Sequence, residues 1–152
     1  MPTHERWVDL THDPIDCPRL LDFVTTPECG AVVLFLGTVR ETTGDLRTVA
    51  LDYEAYPEMA LAKMNELADE ALEKWDVRRV AILHRLGHLA LGEASVAVAV
   101  STPHRQASFE AGQYLIDELK VRVPVWKKEN WADGTTEWVH PGDGPPAPPK
   151  NT

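Results

Sequence analysis

Residues 30–37, GAVVLFLG, form an apolar run without a polar interruption and with a glycine at each end. The run is far shorter than the roughly 20 residues needed to cross a bilayer as a helix. A continuous apolar run of this length between glycines marks a strand covered on both faces. Ala94 to Val100 (ASVAVAV) is a second strongly apolar strand, and Val77 to Leu86 a third. A chain with such strands must supply helices to cover them, and the remaining segments do so.

Asp16 to Val24 reads as a short helix capped by Asp16, with Pro18 in its first turn. Pro57 opens the clearest helix. Ala60, Met64, Leu67, Ala71 and Trp75 recur at helical spacing, and Leu61, Ala68 and Leu72 widen the stripe. A second principal helix is expected with Ser101 or Thr102 as its cap and Pro103 at its first position. Ala107, Ala111, Tyr114 and Leu115 share one face, and the helix should end near Lys120. Short strands are expected at Trp7–Thr11 and, after a turn at residues 42–45, at Thr48–Glu54. Residues 87–92 read as a connection. Val121, Val123 and Val125 are expected on one further strand, with Glu137 to Val139 closing the sheet. The pattern predicts one α+β domain over residues 1–140, with a mixed or antiparallel sheet and two principal helices. Residues 141–152, PGDGPPAPPKNT, are expected to be a disordered Pro/Gly-rich tail.

The formal net charge of −9 argues against nucleic acid and anionic membrane as partners. The opening MPTHER lacks the basic start and apolar core of a signal peptide, and Cys17 and Cys29 are isolated. Both features fit a cytoplasmic protein whose thiols have no set role.

On so acidic a chain, clustered positive charge is informative. His104 and Arg105 fall at a helix start, where the dipole disfavours cations by a few tenths to about 1 kcal/mol. With free N–H groups beside them they suit an anion, although a surface pair that merely solvates the helix start is the alternative. In the segment 120–128, KVRVPVWKK, regular alternation puts Lys127 on a face with Val121, Val123 and Val125. A lysine ending an apolar row tends to have its pKa lowered by desolvation, which suits proton transfer. Pro124 is able to shift that parity, and an exposed strand end is the alternative. Lys120 alone reads as a complement to a helix C-terminus, and Arg40 alone as a loop arginine after a buried strand. His84 and His88 lack a third ligand and read as non-metal residues. Trp126 and Trp131 read as packing residues. No P-loop, dinucleotide fingerprint or nucleophile elbow is present.

Three segments together resemble the large subunit of molybdopterin synthase, the MoaE family. They are residues 30–40 (GAVVLFLGTVR), 51–59 (LDYEAYPEM), and 84–93 (HRLGHLALGE) continuing to 101–109 (STPHRQASF). The last leads into Lys120 and residues 124–129 (PVWKKE), so the likeness spans roughly residues 5–140. The resemblance implies an α/β hammerhead-type fold. It also implies a homodimer within a heterotetramer, each large subunit holding a small ubiquitin-like subunit of the MoaD type. The small subunit's Gly-Gly terminus would carry a thiocarboxylate. The substrate would be cyclic pyranopterin monophosphate (precursor Z), converted to the dithiolene of molybdopterin without a metal or dissociable cofactor. On this resemblance Lys120 and Lys127 are catalytic, Arg40, His104 and Arg105 bind substrate, and Phe35 and Glu129 support the pocket. The family's further basic residue after a Trp-Val pair has only His140 to match it here, unless a second subunit supplies it. A phosphate sensor or a scaffold for a ubiquitin-like partner are the rival readings.

Overall fold

The structure, a computed structural model, describes residues 5–139; the expected domain end, His140 and the tail lie outside them. The elements are β1 (Glu5–Thr11), α1 (Cys17–Val24), β2 (Ala31–Thr38), β3 (Thr42–Thr43), β4 (Leu46–Ala55) and α2 (Pro57–Lys74). They continue with β5 (Arg79–Arg85), β6 (Gly87–Ala90), β7 (Ala94–Thr102), α3 (Arg105–Arg122), β8 (Val125–Trp131) and β9 (Thr136–Val139).

Two sheets form rather than one. The first runs β1-β5-β7-β2, with β1 parallel to β5 and the other neighbours antiparallel. Its sidedness is written in the period-2 pattern. Val80 and Ile82 of β5 and Val96, Val98 and Val100 of β7 join the core made with α2 and α3. The intervening Ala81, Leu83, Ala97 and Ala99 form a separate core with Leu20 and Val24 of α1. Helices therefore cover both faces, which is why the central strands read as continuous apolar runs. The run at residues 30–37 also splits this way, Val33 and Phe35 to one face and Leu34 and Leu36 to the other. It lies at the sheet edge, however, and Val32 is 38% exposed.

The second sheet runs β3-β4-β8-β9, with β6 on the other side of β4, antiparallel throughout. Gly44, at φ +62°, opens the two-residue turn between Thr43 and Leu46. A positive φ at the first turn position is the conformation that suits glycine in a tight hairpin. The expected connection at residues 87–92 contains β6, because Gly87 to Ala90 pair with β4. Val39, Leu51 and Leu89 make the small core of this sheet.

Two expectations about α3 are corrected. Its cap is His104, without a side-chain capping bond, rather than Ser101 or Thr102. Pairing of Ala31 with Thr102 keeps residues 101–102 in the strand, and Gly30 N–H donates to the Pro103 carbonyl at 3.2 Å. At the other end the helix runs to Arg122, so Val121 is helical and half exposed instead of opening a strand. Arg122 anchors that last turn through a two-pronged bond to Glu70 of α2 at 2.9 and 2.6 Å. Val123 precedes a proline, is forced out of the helical region, and becomes the C-cap. At the start of the chain, Asp16 caps α1 as expected, its carboxylate accepting from Arg19 N–H at 3.1 Å. Among the described residues no helix is long and apolar enough to cross a membrane.

Leu115 is fully buried in the α3 layer, whereas Phe109 on the same helix is largely exposed. Leu115→Ala should cost about 2–5 kcal/mol in urea unfolding, and Phe109→Ala roughly 0.5 kcal/mol or less in the isolated chain.

Candidate active site

A cavity of about 480 Å³ opens where the inner face of the second sheet meets the first sheet and the end of α3. The second sheet contributes Thr48, Leu51 and Tyr53 from β4 and Val125, Lys127 and Glu129 from β8. The first sheet contributes Gly37 and Thr38, His84, and Ser95 and Val96 from three strand ends, and α3 contributes Ile116, Leu119 and Lys120.

Each charged group is held there by local structure. Arg40 follows Val39, whose N–H donates to Glu93 O at 3.0 Å and whose carbonyl accepts from Gly92 N–H at 2.8 Å. The strand turns away at a bulge between Gly37 and Thr38. A Cβ on Gly37 would stand 2.6 Å from Val96 Cγ1, so only glycine fits that bend. Lys120 projects from the last turn of α3, where the helix dipole favours a cation. Lys127 and Glu129 alternate on β8 and face the cavity together, as strand periodicity requires.

Lys127 lines the cavity with Val123 and Val125, as the alternation requires, and Glu129 continues that face. Val121 is absent from the strand, and the Lys127 side chain is 37% exposed with Nζ 3.5 Å from Glu129 Oε1. Glu129 is the deeply buried partner, 2% exposed, and its Oε2 accepts from Thr48 Oγ1 at 2.8 Å. A buried carboxylate of this kind needs both contacts. Arg40, Lys120 and Lys127 against Glu129 leave the cavity two positive charges in excess, on a chain of net charge −9.

The other expected residues lie elsewhere. Phe35 packs against the α2–α3 core and does not line the cavity. His104 and Arg105 are exposed at the start of α3. Fifteen residues of helix separate Arg105 from Lys120, about 22 Å at 1.5 Å per residue. One chain thus gathers Arg40, Lys120, Lys127 and Glu129, and holds His104 and Arg105 apart from them. Among the described residues none of Arg40, Lys120, His104 and Arg105 forms an ion pair.

The cavity also holds residues to which sequence reasoning gave no role. His84 is buried, its Nδ1 is 2.9 Å from the Arg85 carbonyl, and burial pushes its pKa down to about 4. Its ring meets the Tyr53 ring edge-on, with centroids 5.0 Å apart. Burial raises the Tyr53 phenol pKa, and the Glu129 charge adds to the effect. The signal for His84 was its parity, since it continues the inward row Val80, Ile82 on β5. His88 instead stands exposed on β6, bonded through Nδ1 to Asp52 at 2.9 Å. Among the described residues no three His, Cys, Asp or Glu side chains are grouped to hold a metal. Trp126 is buried, in keeping with a packing role.

Residues 10–122 match the family model described as MoaE protein. The chain is 46% identical over 131 residues to the molybdopterin synthase catalytic subunit of Bacillus subtilis, covering 86% of this chain and 83% of that one. It superposes on the X-ray crystal structure of molybdopterin synthase from Staphylococcus aureus with a TM-score of 0.81 and 40% identity, covering 86% and 94% of the two chains. The complex of subunits 1 and 2 of molybdopterin-converting factor from Helicobacter pylori shares the fold at a TM-score of 0.70 and 18% identity, over 88% of each chain.

His84 gives a pH signature for the folded state. Unfolded, the imidazole takes up a proton near pH 6.5; folded, it resists until about pH 4. Stability from keeping it neutral is complete above pH 6.5 and is lost as pH falls through that window, by on the order of 3 kcal/mol at most. Urea unfolding between pH 7 and 4 should show the decline, and His84→Leu should flatten it. The carboxylates held low, Asp52 and Glu70, act in the same direction below about pH 4.5.

Proposed function

The chain belongs to the MoaE family, and from that premise we propose that it is the catalytic subunit of a molybdopterin synthase working in the cytoplasm. In this reading it takes sulfur from the C-terminal thiocarboxylate of a small MoaD-type subunit and adds it to precursor Z. Two such additions give the dithiolene of molybdopterin, and the cyclic phosphate opens on the way. The H. pylori protein of the same fold is described as a complex of two different subunits, in keeping with a small-subunit partner.

The observation that carries the proposal is the meeting of Arg40, Lys120 and Lys127 in one cavity with Glu129, which pairs with Lys127. Thiocarboxylate and phosphate are both anions, and two unit charges at 4 Å repel by about 4 kcal/mol at an effective dielectric near 20. The excess positive charge offsets that repulsion and is in place before the reaction begins. Lys127, steered by the Glu129 carboxylate, is the general acid and base during sulfur addition and loss of water. Lys120, at the cavity edge, meets the terminal carbonyl of the thiocarboxylate or the substrate. No metal or dissociable cofactor takes part, because sulfur arrives activated on the small subunit.

His104 and Arg105 enter this scheme through a second copy of the chain. About 22 Å of helix keeps them from the cavity of their own protomer, whereas a homodimer can bring one protomer's helix start to its partner's cavity. There they would hold the phosphate, and the heterotetramer would contain two composite sites.

A reconstituted assay with thiocarboxylated small subunit and precursor Z tests the mechanism. Lys127→Ala should abolish dithiolene formation while precursor still binds; product at the native rate would overturn the role of Lys127. Mixing Arg105→Ala with Lys127→Ala protomers tests the composite site. Each variant alone should be inactive, and after exchange activity should return to about a quarter of native, since one cavity in four is then intact.

A further inference from the structure

Arg122 stands between the two cavity lysines in sequence, two residues after Lys120 and five before Lys127. Its side chain does not join them. Two residues turn a helix by about 200°, so Lys120 and Arg122 leave α3 on opposite sides. Lys120 lines the cavity, whereas Arg122 crosses to α2 and grips both oxygens of Glu70 at 2.9 and 2.6 Å. Tyr114, two turns earlier on α3, donates its hydroxyl proton to Glu70 as well. Arg122 and Tyr114 hold the Glu70 pKa down to about 2, so the grip persists across the neutral range.

The turn so gripped is the last of α3, and helix ends fray because their final carbonyls lack intrahelical partners. Pro124 cannot extend the helix, and β8 starts at once at Val125. A shift of the last turn would therefore pass directly into the strand that carries Lys127. Val123 and Val125 pin this corner from inside by burial. Apolar burial has no direction, and it resists rotation or sliding of the turn only weakly. A two-pronged guanidinium–carboxylate bond is directional and opposes both. The two side chains are 25% and 30% exposed, so the pair adds little to overall stability. Its effect is on geometry.

We propose that Glu70 and Arg122 are positioning residues of the sulfur-transfer site. Their bond, made outside the cavity, fixes the turn that carries Lys120 and, through Val123 to Val125, its spacing to Lys127. The inference rests on the proposed function, which makes both lysines catalytic. Neither Glu70 nor Arg122 lines the cavity, and each acts on the reaction only through the lysines.

The test uses the full chain with thiocarboxylated small subunit and precursor Z. Arg122→Gln should lower kcat about 10-fold or more and leave the KM for precursor Z within about 2-fold of native. Amide hydrogen exchange at residues 119–122 should quicken in the same variant. Arg122→Lys keeps the charge without the fork and should fall between Arg122→Gln and native. Glu70→Gln should act in the same direction, and the double variant should be no slower than Arg122→Gln alone, since the pair works as one unit. Val24→Ala, in the core on the other face of the first sheet, is the stability control. It should lower the urea midpoint at least as far as Arg122→Gln and keep the native kcat. Native kcat in Arg122→Gln, unchanged exchange in the last turn, or multiplicative losses in the double variant would each overturn the positioning role. An equal loss of kcat in Val24→Ala would do the same, because activity would then merely follow stability. Turnover of precursor Z by the native chain leaves the proposed function standing in all those cases. A native chain that fails to turn it over removes the proposed function itself.

Discussion

The packing of α3 across the first sheet is the constraint on which the site depends. The helix presents Ser108, Ala111, Gly112, Leu115, Ile116 and Leu119 to the core. Gly112 faces β2, where a Cβ would meet Val33 Cγ1 at 3.4 Å, an ordinary contact. Being 18 residues long, the helix spans about 27 Å, roughly the width of a small domain. One end therefore lies beside the start of β2 and the other walls the cavity. The same helix that delivers Lys120 to the site keeps His104 and Arg105 away from it. Its length, more than any contact of the cations themselves, makes a composite site the economical reading.

How much of this was legible follows from which interactions are local. The alternation of valine and alanine along β7 and the runs of β2 and β5 encode a sheet with two covered faces, and that pattern can be read directly. The cap of α1 was equally visible, because Asp16 and Arg19 are three residues apart. The cap of α3 was not, because strand pairing between Ala31 and Thr102, far apart in sequence, outcompeted local cap chemistry. Val121 was misplaced for a similar reason. Its helical turn is held by Arg122 reaching Glu70 on another helix. The edge position of β2 depends on strand order, which no residue in the run itself specifies.

The site shows the same division. Lys127 and Glu129 are two apart on a strand, so their shared face follows from the β period. That the carboxylate would be buried, and held by Thr48 on the neighbouring strand, required the pairing of β4 with β8. The family likeness placed Arg40, Lys120, His104 and Arg105 in one functional set, and it could not say which of them a single chain brings together. His84 was visible only as a polar residue on an apolar row. Its bond to the Arg85 carbonyl is local, whereas its place in the cavity and against the Tyr53 ring of another strand is tertiary.

Under the proposed function, the placement of Glu129 accounts for a cationic cavity that meets two anions without binding either too tightly. Without it, three unpaired cations would hold the starting anions about as strongly as any later state, and uniform binding of that kind does not accelerate a reaction. The carboxylate lies 3.5 Å from Lys127 and not beside Arg40 or Lys120, since its second oxygen is tied to Thr48. Its field therefore falls mainly on the lysine proposed to move protons. The ammonium is held by the carboxylate, while Arg40 and Lys120 have no ion-pair partner among the described residues. Burial supports this preference: at 2% exposure the carboxylate depends on Thr48 and Lys127 for its polar contacts, which hold its two oxygens in different directions.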